Sequence, residues 1–190
     1  MLLRWPTDMP DLQDGLVTLR AWRNADCDAV FAACQDPAIQ RWARVPAPYL
    51  LDHAVNFVGE FAREEWMGRR GAPFCIASTD TDDVLGSCSL MDADERDQVA
   101  EVGYWVAPWA RQQGVATQAL GLLTRWALTE LGMARLEVFI EQENRASTVV
   151  AQRCGYATEG VLREKALVGN QRRDVALYAI LRTQLRADAL

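Results

Sequence analysis

The chain has 190 residues, of which 50% are hydrophobic and 24% charged, and its formal net charge is −6. This length and composition predict one folded domain with a substantial core, and the acidic balance argues against a nucleic-acid partner. No apolar run approaches the ~18 residues of a membrane span, and the N-terminus lacks the apolar region of a signal peptide, so no membrane partner is expected. Five cysteines without a CxxC pair and a single histidine predict free thiols, a cytoplasmic location and no metal site.

Hydrophobic periodicity divides the chain into short strands and helices. In chain order we predict an N-terminal arm over 1–14, a strand over 15–22, a helix over 28–35, an irregular segment over 37–49, a helix over 52–67, strands over 73–78, 84–90 and 99–107, a helix over 115–131, a strand over 136–140, a helix over 146–154, and paired strands over 158–167 and 172–181. Polar residues over 91–97 predict a turn, and residues 168–171 predict a hairpin turn.

The order of these elements is β-α-α-β-β-β-α-β-α-β-β. It predicts a mixed α/β (α+β) fold, in which a mostly antiparallel sheet of about seven strands is flanked by about four helices. No internal repeat or linker divides the chain, so residues 15–190 are expected to form one domain after the arm over 1–14.

One loop joins the strand over 99–107 to the long helix that follows it, and it carries the strongest chemical signal. Its sequence is Arg111-Gln112-Gln113-Gly114-Val115-Ala116-Thr117. The first amides of a helix lack partners and its N-terminus is partly positive, so a phosphate is a natural ligand there. Glycine lets the backbone approach such a ligand closely, and the arginine and glutamines offer donors at the rim. Alone, the loop fits an ordinary strand–helix connection equally well, and it matches neither the dinucleotide fingerprint nor the Walker loop.

The pattern R-x-x-G-x-A after a strand reading E-V-G-Y-W-V resembles the acetyl-CoA pyrophosphate loop of the GCN5-related N-acetyltransferases (GNAT). Further matches are Leu19-Arg20, Asn144-x-x-Ser147, Cys154-Gly155-Tyr156, Glu159-Gly160 and Asp174-Val175-x-x-Tyr178. Within the family the chain is most similar to the RimJ/RimL-like branch of ribosomal-protein N-terminal acetyltransferases. The resemblance implies an acetyl-CoA-dependent N-acetyltransferase whose sheet splays open around the pantetheine arm.

The resemblance also implies how the cofactor is held. Backbone amides from Gln113 to Thr117 would bind the pyrophosphate. The backbones of Trp105, Val106 and Ala107 would pair with the pantetheine arm, and the Val106 N–H would face the thioester oxygen.

Two polar residues near the last predicted helix are implied to act on the cofactor. Asn144 would orient the cofactor arm, and the Ser147 hydroxyl would protonate the leaving thiolate. Both residues also suit a helix N-terminus for purely local reasons. Many relatives carry a tyrosine as the acid four residues after the serine position, where this chain has Ala151.

Two glutamates are candidates for the general base. Glu101 lies in the strand before the loop, where some members of the superfamily carry a glutamate that acts through water. Glu164, in the sixth strand of the predicted order, is the alternative. Each also fits a structural carboxylate on a strand face.

The acceptor would be a small-molecule amine or a protein or peptide N-terminus, and it would contact Trp42, Tyr49 and Asn170. These residues lie in segments that flank the far side of the family's cleft, and aromatic residues on a loop are binding candidates. Trp42 also fits a residue that covers the core. Direct attack of the amine in a ternary complex is expected, because no cysteine or serine lies in a nucleophile motif.

Two other functions stay open at this point. The missing tyrosine and the unsettled base are compatible with a module that binds acetyl-CoA without transferring the acetyl group. A third interpretation is an interaction protein that uses Trp42 and Tyr49 as anchors and binds no cofactor. A homodimer is consistent with the RimJ/RimL-like branch, although no residue pattern indicates one.

Overall fold

An eight-stranded sheet organises the molecule, and its computed structural model describes residues 3–168 and 170–185. The strands are β1 (Leu12–Asp14), β2 (Val17–Arg20), β3 (Ala72–Ser78), β4 (Val84–Asp94), β5 (Val99–Val106), β6 (Arg135–Glu141), β7 (Ala157–Val168) and β8 (Gln171–Leu181). Their order across the sheet is β1-β2-β3-β4-β5-β6-β8-β7. All neighbours are antiparallel except β5 and β6, which are parallel. The predicted fold class, a mixed and mostly antiparallel sheet, is confirmed.

Helices pack on both faces of this sheet. They are α1 (Cys27–Ala33), α2 (Pro37–Trp42), α3 (Leu51–Asn56), α4 (Ala62–Met67), α5 (Val115–Trp126) and α6 (Arg145–Arg153). A π-helical turn over Phe57–Phe61 joins α3 to α4, and another over Ala127–Leu131 extends α5. The helices predicted over 52–67 and 115–131 therefore each exist as one continuous helical run.

β5 and β6 separate soon after they meet. They pair over three residues, from Val99 with Arg135 to Glu101 with Glu137. Beyond that point β5 stays paired with β4 as far as Val106, while β6 stays paired with β8 as far as Glu141. Because each strand keeps its outer partner, a gap opens between them, which we call the β5–β6 wedge.

The sheet separates two hydrophobic clusters. The larger one lies on the face that carries α5 and includes Phe74, Leu120, Leu123, Trp126, Leu136, Val138 and Tyr178. The smaller one lies under α1, α2 and α3 and includes Val30, Ile39, Tyr49, Ala54 and Val58. Side chains alternate along a strand, so β5 directs Val102 towards the larger cluster and Trp105 towards the smaller one. Glu101 shares the Trp105 face, opposite α5.

The segment over 37–49 was predicted to be irregular, but it begins with helix α2. Asp36 caps this helix: its Oδ1 accepts the N–H groups of Ala38 at 2.9 Å and Ile39 at 3.0 Å. Pro37 occupies the first turn, where its fixed φ suits a helix and its missing N–H costs nothing. The prediction was wrong because the prolines were taken as breakers, whereas this one starts a helix.

Two further boundaries differ from the prediction. The arm over 1–14 contains strand β1, which pairs with β2 and adds the eighth strand, and Leu3 is buried in the larger cluster. The turn predicted over 91–97 starts late, because β4 continues to Asp94 through a register shift. Asp92 has a φ of 49° there, so the strand is irregular at the polar residues on which the turn was predicted. Gly169, in the predicted hairpin turn, lies outside the described residues.

The thiols, the helix lengths and the possible metal ligands of the described residues were also compared with the predictions. All five cysteines are free thiols. Within the ranges 3–168 and 170–185, no helix combines the length and apolarity needed to cross a membrane, and no cluster of three or more His, Cys, Asp or Glu side chains could hold a metal ion.

Candidate active site

The loop after β5 ends in an open helix N-terminus. Gly114 caps α5 with φ 80° and ψ 0°, a left-handed conformation that favours glycine. The first bond of the helix runs from the Gln118 N–H to the Gly114 carbonyl, at 3.1 Å. The amides over 115–117 therefore precede the first intrahelical donor. A Cβ on Gly114 would meet no atom within 4 Å, so the space beside the cap is open to a ligand.

Arg111 binds a partner that the sequence did not reveal. Its Nη2 and Nη1 donate to the two carboxylate oxygens of Asp36 at 2.7 and 3.2 Å, and its Nε donates to the Val106 carbonyl at 3.4 Å. The guanidinium holds the pKa of Asp36 below its usual value. Because Asp36 also caps α2, Arg111 ties the loop to that helix. A role of Arg111 as a phosphate donor stays a prediction.

The glutamines of the loop are exposed, as expected for rim donors. Gln112 has a φ of 63°, and the side chain of Gln113 donates to the Trp109 carbonyl at 3.2 Å. Val115 is buried, whereas Ala116 and Thr117 are half-buried. The loop thus exposes its polar side chains while its helix is anchored in the core.

Three backbone segments at the end of β5 were predicted to pair with the pantetheine arm, and one of them faces the wedge. The Ala107 N–H donates to the Leu85 carbonyl at 2.8 Å, and the Ala107 carbonyl accepts from Ala110 at 2.9 Å. The Trp105 carbonyl faces Gly86, where a Cβ would lie 2.2 Å from it. Since backbone groups alternate in direction along a strand, the Val106 N–H faces away from β4, towards the wedge. The predicted pairing of pantetheine with Trp105 and Ala107 is therefore wrong, because both backbones are directed at β4 or already bonded.

Asn144 and Ser147 lie together at the start of α6. Asn144 caps this helix: its Oδ1 accepts the Ser147 N–H at 3.2 Å. The Tyr104 hydroxyl, from β5, donates to the Ser147 carbonyl at 3.2 Å. Burial raises the pKa of Tyr104, and the side chain of Ser147 partly offsets this rise. The capping role of Asn144 is confirmed, and Ser147 lies half-buried where α6 approaches the wedge.

Glu101 is a largely buried carboxylate at the closed end of the wedge, with a side chain that is 15% exposed. Burial raises its pKa, and the Arg44 guanidinium, 3.2 Å away, opposes that rise. A raised carboxyl pKa approaches the range in which a glutamate accepts a proton near neutral pH. Arg44 lies two residues after the end of α2, so the position of this helix, which Asp36 caps, also places Arg44 beside Glu101.

Glu101 lines a cleft of about 410 Å³, which we call the acidic cleft. The charged side chains that line it are those of Asp92, Asp94, Asp97, Glu101, Glu137 and Lys165. Phe139 of β6 lines it as well. Glu101 is paired with Arg44 and Glu137 with Arg135, so Asp92, Asp94 and Asp97 supply most of the negative charge of this cleft, and negative charge attracts cations.

The remaining predicted residues are dispersed. Trp42 is half-buried under the Arg41 guanidinium, whose carbon lies 4.0 Å from the Trp42 ring centroid, and Arg41 makes two 2.8 Å bonds to Glu141 at the open end of the wedge. Tyr49 is buried beside His53, so it does not present the exposed ring that a loop residue needs to contact an acceptor. Asn170 is exposed in the β7–β8 turn.

Glu164 is also exposed, and the cleft is lined by its neighbour Lys165 instead. The Glu164 N–H donates to the Asp174 carboxylate at 2.9 Å, and its carbonyl accepts from Arg172 at 3.3 Å. Of the two glutamates, Glu101 is largely buried and lines the cleft, and its role as a base stays a prediction. Asp36 and Lys165 were missed as site residues, and the pairing of Arg44 with Glu101 was not predicted, because these contacts join distant segments.

Known proteins share this architecture. A family model described as an acetyltransferase (GNAT) domain matches residues 17–157. The uncharacterized N-acetyltransferase YoaA of Bacillus subtilis is 23% identical over 173 residues, covering 91% of this chain and 97% of that protein. The ribosomal-protein-serine acetyltransferase of Escherichia coli is 30% identical over 98 residues, covering 52% of this chain and 55% of that protein.

A solved structure extends the likeness to the whole chain. Mycobacterium smegmatis RimJ in complex with CoA-disulfide has a TM-score of 0.84 and 26% identity, and the match covers 100% of this chain and 94% of that one. The family model includes both strands of the wedge, the loop with its open helix N-terminus, and α6. The chain therefore belongs to the GNAT acetyltransferase family and is similar to its RimJ/RimL branch.

Proposed function

We propose that this protein transfers an acetyl group from acetyl-CoA to a primary amine, by direct attack of the amine in a ternary complex. One observation carries the proposal: β5 bears the buried carboxylate of Glu101 where the wedge is closed, and the loop that follows β5 leads from the open end of the wedge to the open helix N-terminus at Gly114. The carboxylate suits proton removal from an amine, and the helix N-terminus suits a diphosphate.

The residues present suit acetyl-CoA. The amides over 115–117 would hold its pyrophosphate, and the Val106 N–H would face the pantetheine side of the wedge. Bound acetyl-CoA would supply the reactive thioester. A backbone N–H placed at the carbonyl oxygen stabilises the negative charge that develops there.

Glu101 is the base in this proposal, and Ser147 the acid. Burial raises the pKa of Glu101, so the carboxylate binds a proton from the acceptor, directly or through water, more readily than an exposed glutamate does. The Ser147 hydroxyl would protonate the departing sulfur. Cys154 is a poor nucleophile, because burial raises the pKa of its thiol to about 11 and its Sγ donates to the Thr117 carbonyl at 3.3 Å.

The acceptor is a small-molecule amine or a peptide N-terminus that enters through the acidic cleft. The carboxylates of Asp92, Asp94 and Asp97 favour a cationic acceptor over an anionic one. Trp42 and Asn170 would contact the acceptor at the rim. Free thiols throughout the chain support a cytoplasmic location. A homodimer stays a prediction.

Two measurements test this function. Acetyl-CoA at ~100 times its dissociation constant should stabilise the protein by about 2.7 kcal/mol, which corresponds to roughly 5–10 °C in melting temperature. Release of CoA thiol is then followed with a panel of polyamines, amino-acid amides and peptides. Amine-dependent release supports transfer. Stabilisation without release by any amine would favour the acetyl-CoA-binding module, and absence of both would overturn the function.

A further inference from the structure

The acidic cleft contains an amine of the protein itself. Lys165 is the only lysine in the sequence. Its side chain lines the cleft together with Glu101, and its Nζ lies 5.5 Å from the centroid of the Phe139 ring. Phe139 lies two residues beyond Glu137, the last residue of β6 that pairs with β5. The ammonium group of this exposed residue therefore lies in the same cleft as Glu101, near the point where the two strands separate.

An irregularity of β7 brings Lys165 to this position. β8 lies between β7 and β6 in the sheet, so the side chain must cross β8 to reach Phe139. Leu162 pairs with Val175 and Ala166 with Arg173, so three residues of β7 bulge opposite one residue of β8.

The bulge is held in a specific conformation. Glu164 has a φ of 54°, and its N–H is bound by the Asp174 carboxylate at 2.9 Å. Bulges redirect side chains next to functional sites. Here the redirected side chain is the one that carries the amine.

We propose that Lys165 is itself an acetyl acceptor, so that the protein acetylates its own cleft. The inference rests on the proposed function, since acetyl-CoA bound in the wedge is the acetyl donor. The neutral Nζ attacks the thioester carbonyl, a C–N bond forms and the C–S bond breaks. Before the attack the ammonium group loses a proton to Glu101, which passes it to water; the proton that the neutral amine then loses goes to the departing sulfur, so CoA leaves as the thiol. The product is an uncharged amide in the acidic cleft.

Acetylation would change the site that performs it. Burial and the charge of Asp92 raise the pKa of Glu101, while the charges of Arg44 and Lys165 lower it. Acetylation removes the positive charge of Lys165, which stabilises the ionised form of Glu101. The pKa of Glu101 therefore rises further. Acetylated protein should therefore need a higher pH than unmodified protein for half-maximal transfer to an external amine.

Mass spectrometry tests this inference directly on the intact 190-residue chain. The protein is incubated with acetyl-CoA, digested, and acetyl groups are mapped over time. The matched control is the double variant Arg163→Lys/Lys165→Arg, which moves the single lysine two residues along the same exposed strand, to a position outside the cleft lining. We expect Lys165 to be acetylated at least tenfold faster than the lysine of the control. The rate constant should not depend on protein concentration, and added CoA should slow the reaction by competing for the wedge.

Other outcomes overturn the inference in distinguishable ways. Equal rates in the two proteins, unaffected by CoA, would mean uncatalysed chemical acetylation. A rate constant proportional to protein concentration would mean transfer between molecules. An unmodified Lys165 in a sample that acetylates an external amine would refute self-acetylation and leave the proposed function intact. If acetyl-CoA does not raise the melting temperature, both proposals fail.

Discussion

Gly114 offers a sharp test of the phosphate-binding loop, because the chain contains a matched control for its backbone strain. Gly114 has φ 80° and ψ 0°, and Gly132, which ends the α5 run, has φ 95° and ψ 24°. A Cβ would meet no atom within 4 Å at either position. The cost of alanine is therefore the left-handed backbone alone, about 1–2 kcal/mol at each site. For a chain of this size that corresponds to roughly 2–8 °C in melting temperature.

The two variants should differ in ligand binding. In Gly114→Ala the new methyl group projects into the open space beside the amides over 115–117. We expect its affinity for acetyl-CoA, measured by calorimetry, to fall at least tenfold, which is about 1.4 kcal/mol. Gly132→Ala should lose similar stability and keep the wild-type affinity. Equal affinities in all three proteins would refute the assignment of this loop to the pyrophosphate.

Four further substitutions, one of them a control, test the fold and the proposed chemistry. Asp26→Ala removes two hydrogen bonds from the Arg20 guanidinium, which is 2% exposed and keeps its ion pair with Asp82, so urea denaturation should show a loss of about 1–3 kcal/mol; Glu159→Ala, in a more exposed ion pair, should cost less. Glu101→Gln should lower kcat/KM by about 10²-fold or more and abolish the acidic limb of the pH–rate profile, because the wild-type rate falls as the pH drops through the raised pKa of this base. Ser147→Ala should lower kcat about tenfold or more while the KM for acetyl-CoA stays nearly constant; an unchanged kcat would remove Ser147 from the mechanism.

Patterns among neighbouring residues predicted the features that depend on neighbouring residues alone, such as strands, helices and the cap of α5. A glycine between a strand and a helix indicates an open helix N-terminus, and the structure has one at Gly114. Alternating and helical periodicity likewise located most strands and helices. Helix α2 was missed because its start depends on the Asp36 cap as much as on Pro37.

Contacts between distant segments left no such signal. Arg111 and Asp36 are 75 residues apart in sequence and form a bidentate ion pair. Arg44 reaches Glu101 only once α2 has packed against the sheet. The bulge that turns Lys165 into the cleft depends on pairing with β8 and on the Asp174 carboxylate. These contacts determine the electrostatics of the site, so its general location could be predicted but its charge environment could not.

The central claim is that the acetyl group of acetyl-CoA reaches an external amine at the β5–β6 wedge. Mass spectrometry of the amine after incubation with isotope-labelled acetyl-CoA measures this most directly. We predict that labelled amide accumulates in equal amount to the released CoA, and that Glu101→Gln slows it about 10²-fold. Label that stays in acetyl-CoA, or that appears only in acetate whatever amine is supplied, would contradict the claim.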